Sequence, residues 1–101
     1  MTKQSVRKIE IENAKSPGRT QRVDADKYEA MKAVVLAVLP QATPGLTVAE
    51  TKASLLPHLS ETLFPGGAKA GWWLKAVQLD LEAKGIIARE QTKPLRLIRL
   101  G

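Results

Sequence analysis

There is no cysteine in this chain, which excludes a disulfide framework, a thiolate metal site and a thiol nucleophile. Histidine is nearly as scarce. His58 is the single one, and it stands beside Pro57 with no sequence partner to orient it as a base. No apolar run exceeds Ala33 to Leu39, which is far too short to span a bilayer. The opening Met1-Thr-Lys-Gln-Ser-Val-Arg-Lys lacks the apolar core of a secretory signal, so a cytoplasmic protein with no membrane partner is expected. Metal-ligand spacings and phosphate-loop patterns are missing too. Asp80 and Glu82 are two apart on a predicted helix and face different directions. From this inventory the expectation is a non-enzyme without a metal or cofactor.

The 101 residues that are present make one domain, expected to span 1–101 with residues 1–5 frayed. A hydrophobic content of 44% is enough for a packed core. The net charge of +6 is uneven: six Lys/Arg against two acids over 1–23 (+4), three against five over 24–64 (−2), and seven against three over 65–101 (+4). Two basic ends around a slightly acidic middle can attract nucleic acid, and a few surplus lysines can equally serve solubility alone.

Arg7 to Glu12 alternates charged and β-branched residues with the period of a half-buried strand. Pro17-Gly18 reverses the chain, and Gln21-Arg22-Val23 returns beside that strand. A first helix follows, capped by Asp24 or Asp26, with Tyr28, Met31, Val35, Val38 and Leu39 on one face and Pro40 and Thr43-Pro44-Gly45 at its end. Thr47-Val-Ala-Glu50 is a capping box that opens a second helix, with Leu46, Val48, Leu55, Leu56 and Leu59 as its apolar side and a break at Pro57.

The third predicted helix, roughly Ala68 to Lys84, is apolar on two sides. At about 100° per residue, Ala70, Trp73, Leu74, Val77 and Leu81 form one stripe. Trp72, Ala76, Leu79 and Ala83 form a second on nearly the opposite side, with Lys75, Gln78 and Glu82 on one flank between them and Asp80 on the other. Such a helix is buried twice over. Gly85 stops it, and two short β-like runs, Ile86–Glu90 and Leu95–Leu100, complete the chain around a turn containing Pro94.

Helix, glycine, strand, turn and strand behind two shorter helices resembles the winged-helix superfamily. The resemblance implies an α+β fold with a three-helix domain, a C-terminal β-hairpin wing and an added N-terminal strand, which is expected to join the wing in one small antiparallel sheet. The tract Pro65-Gly-Gly-Ala-Lys-Ala-Gly-Trp-Trp-Leu-Lys-Ala-Val-Gln-Leu-Asp-Leu-Glu-Ala-Lys-Gly85, with Ser16-Pro-Gly-Arg-Thr20, Tyr28-Glu-Ala-Met-Lys32 and Thr92-Lys-Pro-Leu-Arg96, is similar to a family of small uncharacterised bacterial proteins. That family supplies no activity.

The leading expectation is a non-catalytic binding module, DNA-binding or regulatory, acting through its basic ends and wing. Its phosphate contacts would be Arg19, Arg22, Lys75, Lys93, Arg96 and Arg99. Base readout is expected to be poor, because the third helix offers a groove little beyond Lys69, Lys75 and Gln78, opposed by Asp80 and Glu82. The alternative is a protein-interaction or homodimerisation domain built on Trp72, Ala76, Leu79 and Ala83. Trp73 reads as core. Trp72 has three open fates: cover by Ile9, Ile11 or Val23, an interface, or stacking on a base or ligand. The glycines of Pro65-Gly66-Gly67 offer a weaker anion-binding option beside a plain turn.

Overall fold

The computed structural model describes residues 7–101; the predicted frayed end, 1–5, lies outside them. Strands β1 (Lys8–Glu12) and β2 (Thr20–Asp24) form an antiparallel hairpin in register from Lys8 opposite Asp24 to Glu12 opposite Thr20. Helix α1 (Ala25–Val38) starts where the Asp24 carboxylate accepts from the amides of Asp26 and Lys27, satisfying two of the donors a helix start leaves open. Glu29 takes no part in that cap. It accepts instead from Arg7, as does Asp26.

A two-residue strand, β3 (Leu46–Thr47), leads directly into α2 (Val48–Leu55). The predicted capping box is present: Glu50 N donates to Thr47 Oγ1 at 3.1 Å and Thr47 N donates to Glu50 Oε1 at 3.0 Å. Pro57 has the predicted effect, converting the chain to a 3₁₀ turn at Leu56–His58. A further 3₁₀ turn, Pro65–Gly67, precedes α3 (Ala70–Ala83). Gly85 has a φ of 71°, and the amides of Gly85 and Ile86 donate to the carbonyls of Glu82 and Leu81. This is the glycine-dependent helix ending that the sequence indicates, and it aims the chain into β4 (Ile87–Glu90) and β5 (Arg96–Arg99).

The sheets depart from expectation. β1 pairs with β2 alone, and the C-terminal sheet has the order β3-β5-β4. Its third strand is therefore Leu46–Thr47 rather than the N-terminal strand. The main chain just before β3 is tied down at both its polar groups: Gly45 N donates to Glu90 Oε1 at 2.6 Å, and Arg96 donates to Gly45 O at 2.9 Å. A Cβ on Gly45 would lie 2.1 Å from the Leu97 carbonyl oxygen, so only glycine lets the chain approach β5 this closely.

One apolar core joins all these parts. Tyr28, Met31 and Val35 of α1, with Leu39 at its C-cap, meet Trp73, Leu74, Val77 and Leu81 of α3, with Leu55, Phe64, Ile87 and Leu97 closing the ends. Phe64 meets Trp73 edge to face at 6.3 Å between ring centres. Val48 and Leu56, predicted on the buried side of the second helix, are exposed, because the helix is only two turns long and turns Thr51 and Leu55 inward instead. Among the described residues no helix is long and apolar enough to cross a membrane.

Candidate nucleic-acid interface

Asp80 decides which face of α3 is free. The sequence puts it in a polar flank, yet it is 0% exposed. Its carboxylate accepts from the Tyr28 hydroxyl at 2.5 Å, from Glu12 N at 2.8 Å and from Lys84 Nζ at 2.8 and 3.0 Å. A buried carboxylate survives only when its lone pairs are filled in this way. Burial, with the hydrogen bond and charge of Asp80, pushes the Tyr28 hydroxyl well above its usual pKa.

The bond from Glu12 pins β1 to the outer side of α3, and Ala14 N adds a second tie to the Leu79 carbonyl at 3.2 Å. Leu79 is consequently 6% exposed, covered by its own chain. The stripe of Trp72, Ala76, Leu79 and Ala83 is therefore not one surface. Ala76 is half-buried, Ala83 is exposed, and Trp72 is 49% exposed with its ring edge-on to Trp73 at 5.0 Å. At that exposure Trp72 is not enclosed by Ile9, Ile11 and Val23, the cover the sequence offered. A cavity of about 370 Å³ lies under the hairpin, floored by Ile11, Ala76 and Leu79 and rimmed by Asn13, Ser16 and Arg19 among others.

The flank toward the C-terminal hairpin holds a groove of about 320 Å³. Lys15 from the β1–β2 loop, Lys75 from α3 and Arg89 from β4 line it, with Val48, Gly71, Gln78, Leu79 and Leu95. Lys52 Nζ lies at its Gly71 end, 3.5 Å from where a Cβ on that glycine would stand. No carboxylate is among the described residues that line it. Among the described residues Lys15, Lys52 and Lys75 make no ion pair.

Arg89 is different. Its Nε and Nη2 donate to the two Glu82 oxygens at 2.7 and 3.1 Å, and Gln78 Nε2 donates to the same carboxylate at 2.9 Å. Burial acts most strongly on the Glu82 carboxyl and pushes it up, but the bonds from Arg89 and Gln78 and the charges of Arg89 and Lys15 together hold it below the usual carboxylate range. Gln78, expected as a group for base readout, is 5% exposed with its amide nitrogen already engaged.

The expected phosphate contacts scatter. Arg19 and Arg22 are exposed on the first hairpin, and Lys93 is exposed in the β4–β5 turn. Arg96 is committed to Gly45 O and to Glu50 Oε1 at 3.2 Å. The Thr47 amide first, and Arg96 after it, keep the Glu50 carboxyl below its usual range. Arg99 donates to Gly101 O at 3.2 Å, and its Nε is buried without a partner among the described residues. Of the six, only Lys75 lies in the groove, where it meets Lys15 and Arg89 rather than Arg96 and Arg99. Lys15, Lys52 and Arg89 escape a sequence reading because a turn, a second helix and a strand bring them together. His58 is exposed, and the amide of Gly66 already donates to Glu61 at 3.2 and 3.3 Å, which fills that turn with an internal carboxylate.

Residues 8–97 match the model of DUF6958, a family of unknown function. The chain belongs to that family. No curated protein and no solved structure matches it. The DUF6958 match covers the first hairpin, all three helices and β4 and ends within β5, and so includes every described residue lining the groove.

Proposed function

We propose that the protein is a non-catalytic binding module of winged-helix type which holds the phosphate backbone of DNA without reading base edges. Three helices followed by a β-hairpin, in that order along the chain, support the winged-helix reading. The observation that carries the DNA reading is the groove beside α3, where Lys15, Lys75 and Arg89 converge with Lys52 at one end and no carboxylate lines the wall. Such a surface gains affinity by releasing counterions from a polyanion. Base readout is opposed on two counts: the outer side of α3 is covered by the N-terminal hairpin, and Gln78 is spent on Glu82. Titration of a labelled duplex across a salt series tests this. Binding that weakens steeply with salt is expected. No binding at about 50 mM salt and micromolar protein would overturn it.

Trp72 favours a second reading, a protein-interaction surface and most simply a homodimer. A tryptophan 49% exposed beside Ala76 is the type of anchor on which interfaces concentrate their energy. A protein that sediments as a dimer, and as a monomer after Trp72→Ala, would support it. A monomer at all concentrations would end the homodimer.

A further inference from the structure

Resting on the DNA reading above, we infer that Glu82 is a built-in competitor of the phosphate backbone: it occupies the planar edge of Arg89 that an incoming phosphodiester would take. Arg89 lines the groove, while Glu82 lies behind the wall and is not among the lining residues. The carboxylate makes the two-pronged contact with Nε and Nη2 that a phosphate makes with a guanidinium. Arg89 alone of the groove cations is neutralised in this way, so the module at rest presents Lys15 and Lys75 and keeps its one planar donor in reserve. Gln78 Nε2 remains to hold Glu82 when Arg89 turns to the ligand.

The donor set favours a phosphodiester over an acidic polypeptide. The wall offers cationic donors from three side chains and no carboxylate. A phosphodiester only accepts hydrogen bonds, whereas a peptide brings amide N–H groups that need acceptors.

The test measures binding of a random-sequence 20-base-pair duplex to wild type, Glu82→Gln, Arg89→Gln and the double variant over a salt series. Glu82→Gln keeps the side chain's shape and frees Arg89. The slope of log K against log salt should steepen by about one, so that its gain over wild type grows about fourfold from 200 to 50 mM salt. In the double variant that gain should vanish. An equal gain with Arg89 absent would show a general charge effect and overturn the inference. An unchanged Glu82→Gln slope, in a protein whose Lys15→Ala/Lys75→Ala variant binds weakly, would overturn the competitor and leave the groove standing. Loss of duplex binding by every form, wild type included, would remove the groove reading itself. Polyglutamate that displaces the duplex as well as unlabelled DNA does would overturn the choice of phosphodiester. A second measurement needs no variant: the Arg89 Nε–Hε signal of the wild type should shift on adding duplex. If it stays fixed while the Lys75 amide shifts, Glu82 has not been displaced.

Discussion

The Tyr28 hydroxyl of α1 donates to the buried Asp80 carboxylate of α3 at 2.5 Å. The same carboxylate accepts from Glu12 N of β1 and from Lys84, so one residue ties together a helix pair and the hairpin that covers it. Lys84 Nζ also lies 5.8 Å from the centre of the Tyr28 ring, a cation over an aromatic face. Removing only the hydroxyl, with Tyr28→Phe, leaves one Asp80 lone pair unfilled. It should cost about 1–3 kcal/mol, read as a lower midpoint in urea unfolding. An unchanged midpoint would mean that the bond contributes nothing.

Burial of the Tyr28 hydroxyl, with its bond to Asp80, also contributes to the alkaline limb of stability. The folded pKa of Tyr28 is raised above the unfolded value of about 10, so the folded chain holds its proton more tightly. Its contribution is complete below about pH 10 and is lost as pH rises beyond it. Melting temperature followed from neutral to alkaline pH should fall in the wild type and fall less steeply in Tyr28→Phe. At the other end, Glu82 and Glu50 are held below the unfolded carboxylate value of about 4.3. Their contribution is complete above that value and is lost as pH falls through the folded one.

Gly45 gives a prediction that helix propensity alone does not. Gly45→Ala drives a Cβ into the Leu97 carbonyl, and the obstacle is backbone, not a side chain that can swing aside. We expect a loss of about 3 kcal/mol, the upper end of ordinary overpacking, measured by chemical denaturation.

Leu79 separates the two uses of the outer face of α3. Under the N-terminal hairpin, Leu79→Glu buries a charge and should lower stability markedly, with loss of helical circular dichroism on mild heating. Trp72→Ala, at a half-exposed site, should cost far less. If Leu79→Glu stayed fully stable and changed only the sedimentation of the protein, the face would belong to a partner instead.

Much of the fold is written in local signals. Thr47 and Glu50 announce one helix start, Gly85 announces a helix stop, and the stripe through Trp73, Val77 and Leu81 marks the core. What escaped is non-local. Asp80 looks like any solvated acid until Tyr28, fifty-two residues away, and the Glu12 amide reach it. The pairing of Leu46–Thr47 with β5 is invisible because two residues carry no period. The groove is illegible for the same reason: Lys15, Lys75 and Arg89 share no spacing, and whether an arginine is free or spent depends on Glu82, seven residues back along the chain.

The most direct test of the cationic groove is the salt dependence of duplex binding in wild type and in Lys15→Ala/Lys75→Ala. Each lost phosphate contact removes about 0.9 from the slope of log K against log salt. The double variant should remain folded, bind more weakly at every salt concentration, and show a slope shallower by about two. Equal slopes in the two proteins would contradict it.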